Sequence, residues 1–175
     1  MDMETLVKKA KHGDKDALVR LIMDKQSDYY KLAFVYMGNK EDSLDAMADM
    51  IIILYEKIHQ LKKPEAFYSW SKTILVNRCK KFLKDKNKLV YLDTVKEHGC
   101  EAELKEKEDR IILEEHLSKL NEKYREVIRL RYFLGLDHKT IAHILKIPAG
   151  TVKSRIHIGL KNLRKSLGGD GYEGN

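Results

Sequence analysis

The sequence predicts an all-α protein of two small helical domains, the second a helix-turn-helix, joined by a flexible linker. Three observations carry this. Only two prolines and ten glycines punctuate 175 residues, too few for the turns of a β-rich fold. No stretch sustains the apolar and polar alternation of a half-buried strand, whereas apolar residues recur at helical spacing along most of the chain. An acidic stretch without such a stripe separates two segments that each have one. The expected boundaries are a first domain over 1–87, a linker over 88–107, a second domain over 108–167 and a disordered tail over 168–175.

In the first domain, Asp14 is placed to cap a helix that buries Ala17, Leu18, Leu21 and Ile22. A second helix carries Tyr29, Leu32, Ala33, Tyr36 and Met37 and stops at Gly38. A third, from about Glu41 to Gln60, aligns Leu44, Met47, Ile51, Leu54, Tyr55 and Ile58 on one face. Asp42, Asp45, Asp49 and Glu56 gather nearly opposite, where like charges repel one another. A basic partner surface would account for that grouping, and so would an exposed solubilising face.

Pro64 then hands the loop Leu61 to Glu65 into a fourth helix at its first turn. Phe67, Trp70, Ile74 and Phe82 are spaced for its core, whereas Lys72, Arg78, Lys80, Lys81, Lys84, Lys86 and Lys88 are opposed only by Asp85. Aromatic groups beside a basic strip suit single-stranded DNA, through stacking and phosphate contact. Trp70 reads as a core residue, which leaves Tyr68 and Asn77 as the contact candidates. Asp93, Glu97, Glu101, Glu103 and Glu106, with Glu108 at its far border, make the linker acidic, so that it either avoids DNA, threads a basic channel or is simply solvated.

Beyond the linker, Ile111, Ile112, Leu113, Leu117 and Leu120 open the second core. Asn121 caps a helix whose Tyr124, Val127, Ile128 and Phe133 follow at helical spacing to Gly135, and Asp137 caps a short supporting helix with Ile141, Ala142 and Leu145 inward. Pro148 ends that helix by denying a backbone donor and disfavouring helical geometry at Ile147. Gly150 and Thr151 begin the last helix, in which Val152, Ile156, Leu160, Leu163 and Leu167 share one side. Its far side holds Thr151, Ser154, Ile158, Lys161 and Lys165, flanked by Lys153 and His157. Hydroxyls and cations so placed suit the major groove, although an ordinary surface helix with solvated lysines has the same pattern. Charge favours the DNA reading: from Lys123 to Lys165, eleven lysines and arginines face two carboxylates, a net +9, while the whole chain carries +7.

Other chemistries find little support. Cys79 and Cys100 make no disulfide or metal framework, and the seven histidines are dispersed. His138 and His143 lack the spacing that puts two metal ligands on one helical face. No nucleophile, phosphate loop or metal cluster emerges, so neither enzyme activity nor a cofactor is expected. The lack of a signal segment or long apolar run places the chain in the cytoplasm, with no stable membrane insertion.

Three blocks, YREVIRLRYFLGL, TIAHIL and IPAGTVKSRI, together with the weaker EDSLDAMADMIIILYEKI and FYSWSKTILVNRCKKFL, resemble the bacterial RNA polymerase sigma factors of the extracytoplasmic-function group. The likeness spans nearly all of residues 14–167. It implies region 2 joined to a region 4 helix-turn-helix, core RNA polymerase and promoter DNA as partners, and a role in transcription initiation under stress. On matching positions, Thr151, Lys153, Ser154, Arg155, His157, Ile158 and Lys161 would read the minus-35 element. Leu61, Lys62, Lys63, Tyr68, Asn77, Lys80 and Lys81 would hold the minus-10 element. Asp42, Asp45, Asp49 and Glu56 would dock on the clamp helices of the largest polymerase subunit, with the flap of the second largest also contacted. The resemblance further implies an inhibitory anti-sigma factor, which could hold the protein at the membrane.

Four positions depart from the family pattern. Ala48 and Asp49 stand where glutamine and glutamate are common, Ile158 where arginine is frequent, and Lys146 where a turn glycine is usual. Isoleucine cannot make arginine's hydrogen bond to a base or phosphate, though it can meet a thymine methyl. The alternative readings are a free-standing helix-turn-helix regulator, which would favour a palindromic operator and a homodimer, and a protein-interaction adaptor.

Overall fold

Local capping groups set most of the element boundaries. The computed structural model describes residues 2–90 and 104–168, with side chains over 2–86 and 111–168. They form two compact units, the first built on the N-terminal half and the second on the chain beyond. Every regular element among them is helical. Helix runs to Val90 and resumes at Leu104, so both ends of the expected linker are helical. Asp93, Glu97, Glu101 and Glu103, with the tail beyond Gly168, lie outside the described residues.

The first unit opens with a helix that spacing did not suggest, α1 (Met3–Lys11), because it buries only Val7 and Ala10. Asp2 caps it, accepting from the Thr5 amide at 2.7 Å. In α2 (Lys15–Asp24), Asp14 accepts from the Ala17 amide at 3.0 Å, and the four expected residues are buried. Helix α3 (Gln26–Met37) ends at Gly38, whose φ of +74° is a left-handed conformation that glycine adopts without a Cβ penalty. It buries Tyr29, Leu32, Ala33 and Met37 and leaves Tyr36 half-buried.

Helix α4 (Lys40–Lys57) corrects the expected face. Ser43, Ala46, Met47, Met50 and Leu54 point inward, with Ile58 in the following 3-10 turn, while Leu44, Ile51 and Tyr55 are exposed. The helix is apolar around most of its circumference, so spacing could not select the buried side. Packing against α3 and α5 (Phe67–Val90) selects it, and small Ser43 and Ala46 lie on the selected side. A turn Pro64–Ala66 leads into α5. Phe67, Ser71, Thr73, Leu75, Val76 and Cys79 are its buried residues, while Trp70, Ile74 and Phe82 are only half-buried. The hydroxyls of Tyr29 and Ser71 meet at 2.7 Å and satisfy each other in the core.

In the second unit, α6 (Leu104–Ser118) and the residues after it bury Leu117 and Leu120, whereas Ile111 and Ile112 are exposed. Asn121 caps α7 (Glu122–Ile128) through the Lys123 amide at 3.2 Å. A π-helical turn, Arg129–Phe133, follows. Leu130 within it is buried and Phe133 at its end is exposed, against expectation. Helix α8 (His138–Leu145) is capped by Asp137, which accepts from the Thr140 amide at 2.7 Å. Ile141 and Ile144 are its buried residues, with Ala142 and Leu145 half-buried.

Lys146 then takes a φ of +55°, the only non-glycine residue with positive φ among those described. The next amide, Ile147, donates to the Ala142 carbonyl at 3.1 Å and closes a Schellman turn. Helix α9 (Ala149–Ser166) starts one residue earlier than expected, at Ala149, because Pro148 occupies the N-cap in extended geometry. Val152, Ile156, Gly159 and Leu163 are buried, Leu160 is half-buried, and Leu167, beyond the helix end, is exposed.

Candidate nucleic-acid and docking surfaces

The rotation of α9 is fixed by its buried side. Glycine at 159 lets α9 approach α7 closely, because an added Cβ would lie 2.7 Å from Ile128 Cδ1 and 3.2 Å from Tyr124 Cβ. Lys153, Ser154, His157, Ile158 and Lys161 consequently face solvent together, with Thr151 and Arg155 half-buried at the margins. Ser154 donates its hydroxyl hydrogen to the Thr151 carbonyl at 3.0 Å, which leaves the oxygen as an acceptor. The outer face thus combines cations, a hydrogen-bond acceptor and one apolar contact group, the set needed to meet phosphates and base edges. Behind it, Arg131 donates to the Leu136 carbonyl at 3.0 Å and fastens the approach to α8.

In the first unit the loop after α4 divides by residue. Leu61, expected as a contact, is only 6% exposed and anchors the loop in the core, while Lys62 and Lys63 are exposed. Along α5, Asn77 and Lys81 are exposed on one side with half-buried Lys80 and Trp70. Tyr68 does not join them. It lies nine residues before Asn77, about two and a half turns, and so on the opposite side of the helix. Its hydroxyl donates to Asp24 on α2 at 2.9 Å, and burial together with that carboxylate raises its pKa.

On α4, two of the four acidic residues already have partners inside the unit. Asp49 pairs with Arg78, and Asp42 accepts from Lys86 at 2.7 Å and from Asn39 at 2.8 Å. The Asn39 side chain and Lys86 hold the Asp42 carboxyl below the usual carboxylate range. Asp45 and Glu56 are exposed. Between them and the buried side runs an apolar stripe, Leu44, Ala48, Ile51, Ile52 and Tyr55, of which Ile52 is 57% exposed and Tyr55 51%. Sequence reasoning assigned part of this stripe to the core and missed it as a surface. The signal was a helix with more apolar positions than one buried face can use.

Cys79 is buried, which pushes its thiol up to about 12 and keeps it from thiolate chemistry at neutral pH. Among the described residues no group of three or more His, Cys, Asp or Glu side chains is placed to hold a metal ion. No helix among them is long and apolar enough to cross a membrane.

Two helical units, one presenting a helix-turn-helix with a cationic outer face, define a class of proteins that act on DNA in transcription. Comparison with known proteins narrows the class. Residues 21–89 match the family description Sigma-70 region 2, and residues 110–163 match Sigma-70, region 4. RNA polymerase sigma factor SigV of Bacillus subtilis (strain 168) is 34% identical over 162 residues, which cover 91% of this chain and 96% of that protein. The ECF RNA polymerase sigma factor SigW of the same strain is 30% identical over 183 residues, covering 95% and 97%. The solved structure of CnrH in complex with the cytosolic domain of CnrY shares the fold with a TM-score of 0.69 at 18% identity, covering 97% of this chain and 99% of that one. The sigma factor RpoE in complex with the anti-sigma factor NepR from Bartonella quintana does so at 0.63 and 20% identity, covering 86% and 96%.

The chain belongs to the sigma-70 family of RNA polymerase sigma factors, in its extracytoplasmic-function group. It is an alternative sigma factor that directs transcription initiation.

Proposed function

We propose that this sigma factor docks on core RNA polymerase through α4, reads the minus-35 element with α9, and holds the melted minus-10 strand with the loop after α4 and the exposed side of α5. The observation that carries the reading is the orientation of α9, whose buried side turns Lys153, Ser154, His157, Ile158 and Lys161 outward as one face. Thr151 and Arg155 flank that face. In the first unit the strand-holding groups are Lys62, Lys63, Asn77, Lys80 and Lys81. The clamp helices of the largest subunit meet the exposed apolar stripe with Asp45 and Glu56 at its border, while Asp42 and Asp49 fasten α4 to α5. The flap of the second largest subunit is the partner of the second unit. The protein itself makes no bond, because the polymerase's own metal centre synthesises RNA.

The functional modules follow the helix ends: polymerase and minus-10 binding over 1–90, minus-35 binding over 104–168, and a tether between them. Proteins bound to CnrH and RpoE in their structures support an inhibitory partner here too. An anti-sigma factor covering these surfaces would hold the protein inactive in the cytoplasm or against the membrane.

The test is transcription by purified bacterial core polymerase, with and without this protein, on fragmented DNA of the source genome, sequencing RNA 5′ ends. Protein-dependent starts that share two spaced upstream elements are the expected result. The absence of both polymerase binding and new starts would leave a free-standing regulator as the better reading.

A further inference from the structure

The loop from Leu61 to Ala66 is held at both ends by side chains outside it. At its entry, Lys11 of α1 reaches across the unit and donates from Nζ to the Leu61 carbonyl at 2.7 Å. At its exit, the Tyr68 hydroxyl is bound to Asp24 at 2.9 Å, which ties the first turn of α5 to α2. Buried Leu61 and Phe67 flank the loop as apolar anchors. Within it, Lys63 is extended ahead of Pro64, and the Ala66 amide donates to the Lys63 carbonyl at 3.0 Å. Exposed Lys62 and Lys63 are therefore carried by a backbone fixed on either side.

Lys11 makes a contact that needs explaining. A lysine ordered on one carbonyl gives up side-chain freedom that a solvated surface lysine keeps. What it gains is a charge-assisted hydrogen bond at the point where the chain leaves α4's terminal turn for the loop. Capture of a single strand loses affinity for every degree of freedom that must be frozen on binding, so a pre-set loop binds more tightly than a mobile one. Residue 11 lies before the stretch that matches region 2, which begins at residue 21.

We propose that Lys11 and Tyr68 are positioning residues that clamp the two ends of this loop, so that Lys62 and Lys63 meet the melted promoter strand in a preformed geometry. The inference rests on the reading of the loop as a minus-10 contact. It makes α1, which contributes little to the core, a working part of promoter opening.

The test uses holoenzyme assembled from the full chain and core polymerase, on a promoter mapped by the 5′-end sequencing above. Permanganate reactivity of minus-10 thymines reports strand opening, and gel retardation at low temperature reports the closed complex. Lys11→Met keeps the aliphatic stem and removes the donor. It should lower opening by about tenfold, the factor expected from one lost charge-assisted hydrogen bond, with closed-complex affinity unchanged. Lys11→Arg, which retains a donor, should restore opening, and Tyr68→Phe, which removes only the hydroxyl, should lower it.

Normal opening by Lys11→Met, alongside a defect in the double variant Lys62→Ala, Lys63→Ala, overturns the clamp and spares the loop reading. Normal opening by both variants overturns the loop reading and the inference with it. A defect in Lys11→Met that Lys11→Arg does not restore, with a lowered thermal midpoint, overturns the clamp in favour of plain support of the fold.

Discussion

Gly159 of α9 faces Ile128 of α7 so closely that no β-carbon fits between them without movement, since one would lie 2.7 Å from Ile128 Cδ1. This crossing sets the rotation of α9. Gly159→Ala should lower stability by about 1–3 kcal/mol from overpacking, less the roughly 1 kcal/mol that alanine gains over glycine within a helix. Ile128→Val in the same chain removes the clashing methyl and should restore part of the loss, as read by chemical denaturation of the double variant. Equal stability of Gly159→Ala and the parent would show that Ile128 yields freely.

Lys146 holds a φ of +55° in the helix-turn-helix turn, a conformation that crowds its Cβ. Lys146→Gly should raise stability by about 1 kcal/mol, the strain relieved minus the added flexibility of the unfolded chain. The matching measurement is the denaturation midpoint of each variant, and a drop on substitution would mean that the lysine side chain has a compensating contact.

For promoter reading, Lys153→Ala with Ser154→Ala should weaken binding to the upstream element by about tenfold or more, from one to two lost base or phosphate contacts. Core polymerase binding should be unchanged. Losing the Lys153 cation should also reduce the salt dependence of duplex binding by about one counterion. Equal loss of polymerase and DNA binding would remove α9 from its assigned role.

The exposed apolar stripe and the paired carboxylates of α4 should behave differently. Ile52→Asp or Tyr55→Ala, both at exposed sites, should weaken association with core polymerase by about tenfold while leaving the fold intact. Asp49→Lys places a cation beside Arg78 and should act through stability instead. Circular-dichroism melting together with polymerase pull-down separates the two; normal polymerase binding by Ile52→Asp would rule out the apolar stripe.

Asp42 gives the first unit a pH dependence at its acidic end. Its folded carboxyl titrates below the unfolded value because Asn39 and Lys86 favour the ionised form. The contribution is therefore complete above the unfolded pKa of about 4 and disappears as pH falls through the lower folded value. As pH falls below about 5 the parent should lose more stability than Asp42→Asn, which has no such proton to take up. Parallel melting curves across that range would contradict the assignment.

Helix starts and stops were legible from single residues. Asp14, Asn121 and Asp137 cap the helices assigned to them, and Gly38 ends α3 in the left-handed conformation its position suggested. The basic outer face of α9 was equally visible, because its apolar residues leave only one side to bury. Where a helix carried more apolar groups than one face can use, spacing failed. On α4 it sent Leu44, Ile51 and Tyr55 to the core, and on α5 it favoured Trp70 and Ile74 over Leu75 and Cys79. The charged α1 had too thin a stripe to be noticed, although Lys11 within it holds the Leu61 carbonyl.

The division follows the range of the forces. Caps, turn glycines and the proline stop act through hydrogen bonds and dihedral limits within a few residues, so the sequence by itself determined the helices, their approximate limits and the cationic outer face of α9. Only the tertiary structure decided which stripe of α4 is buried, that Phe133 stays exposed, why residue 159 is glycine, and which carboxylates are already paired. Those outcomes depend on neighbours distant in sequence, whose shapes and charges no local pattern contains.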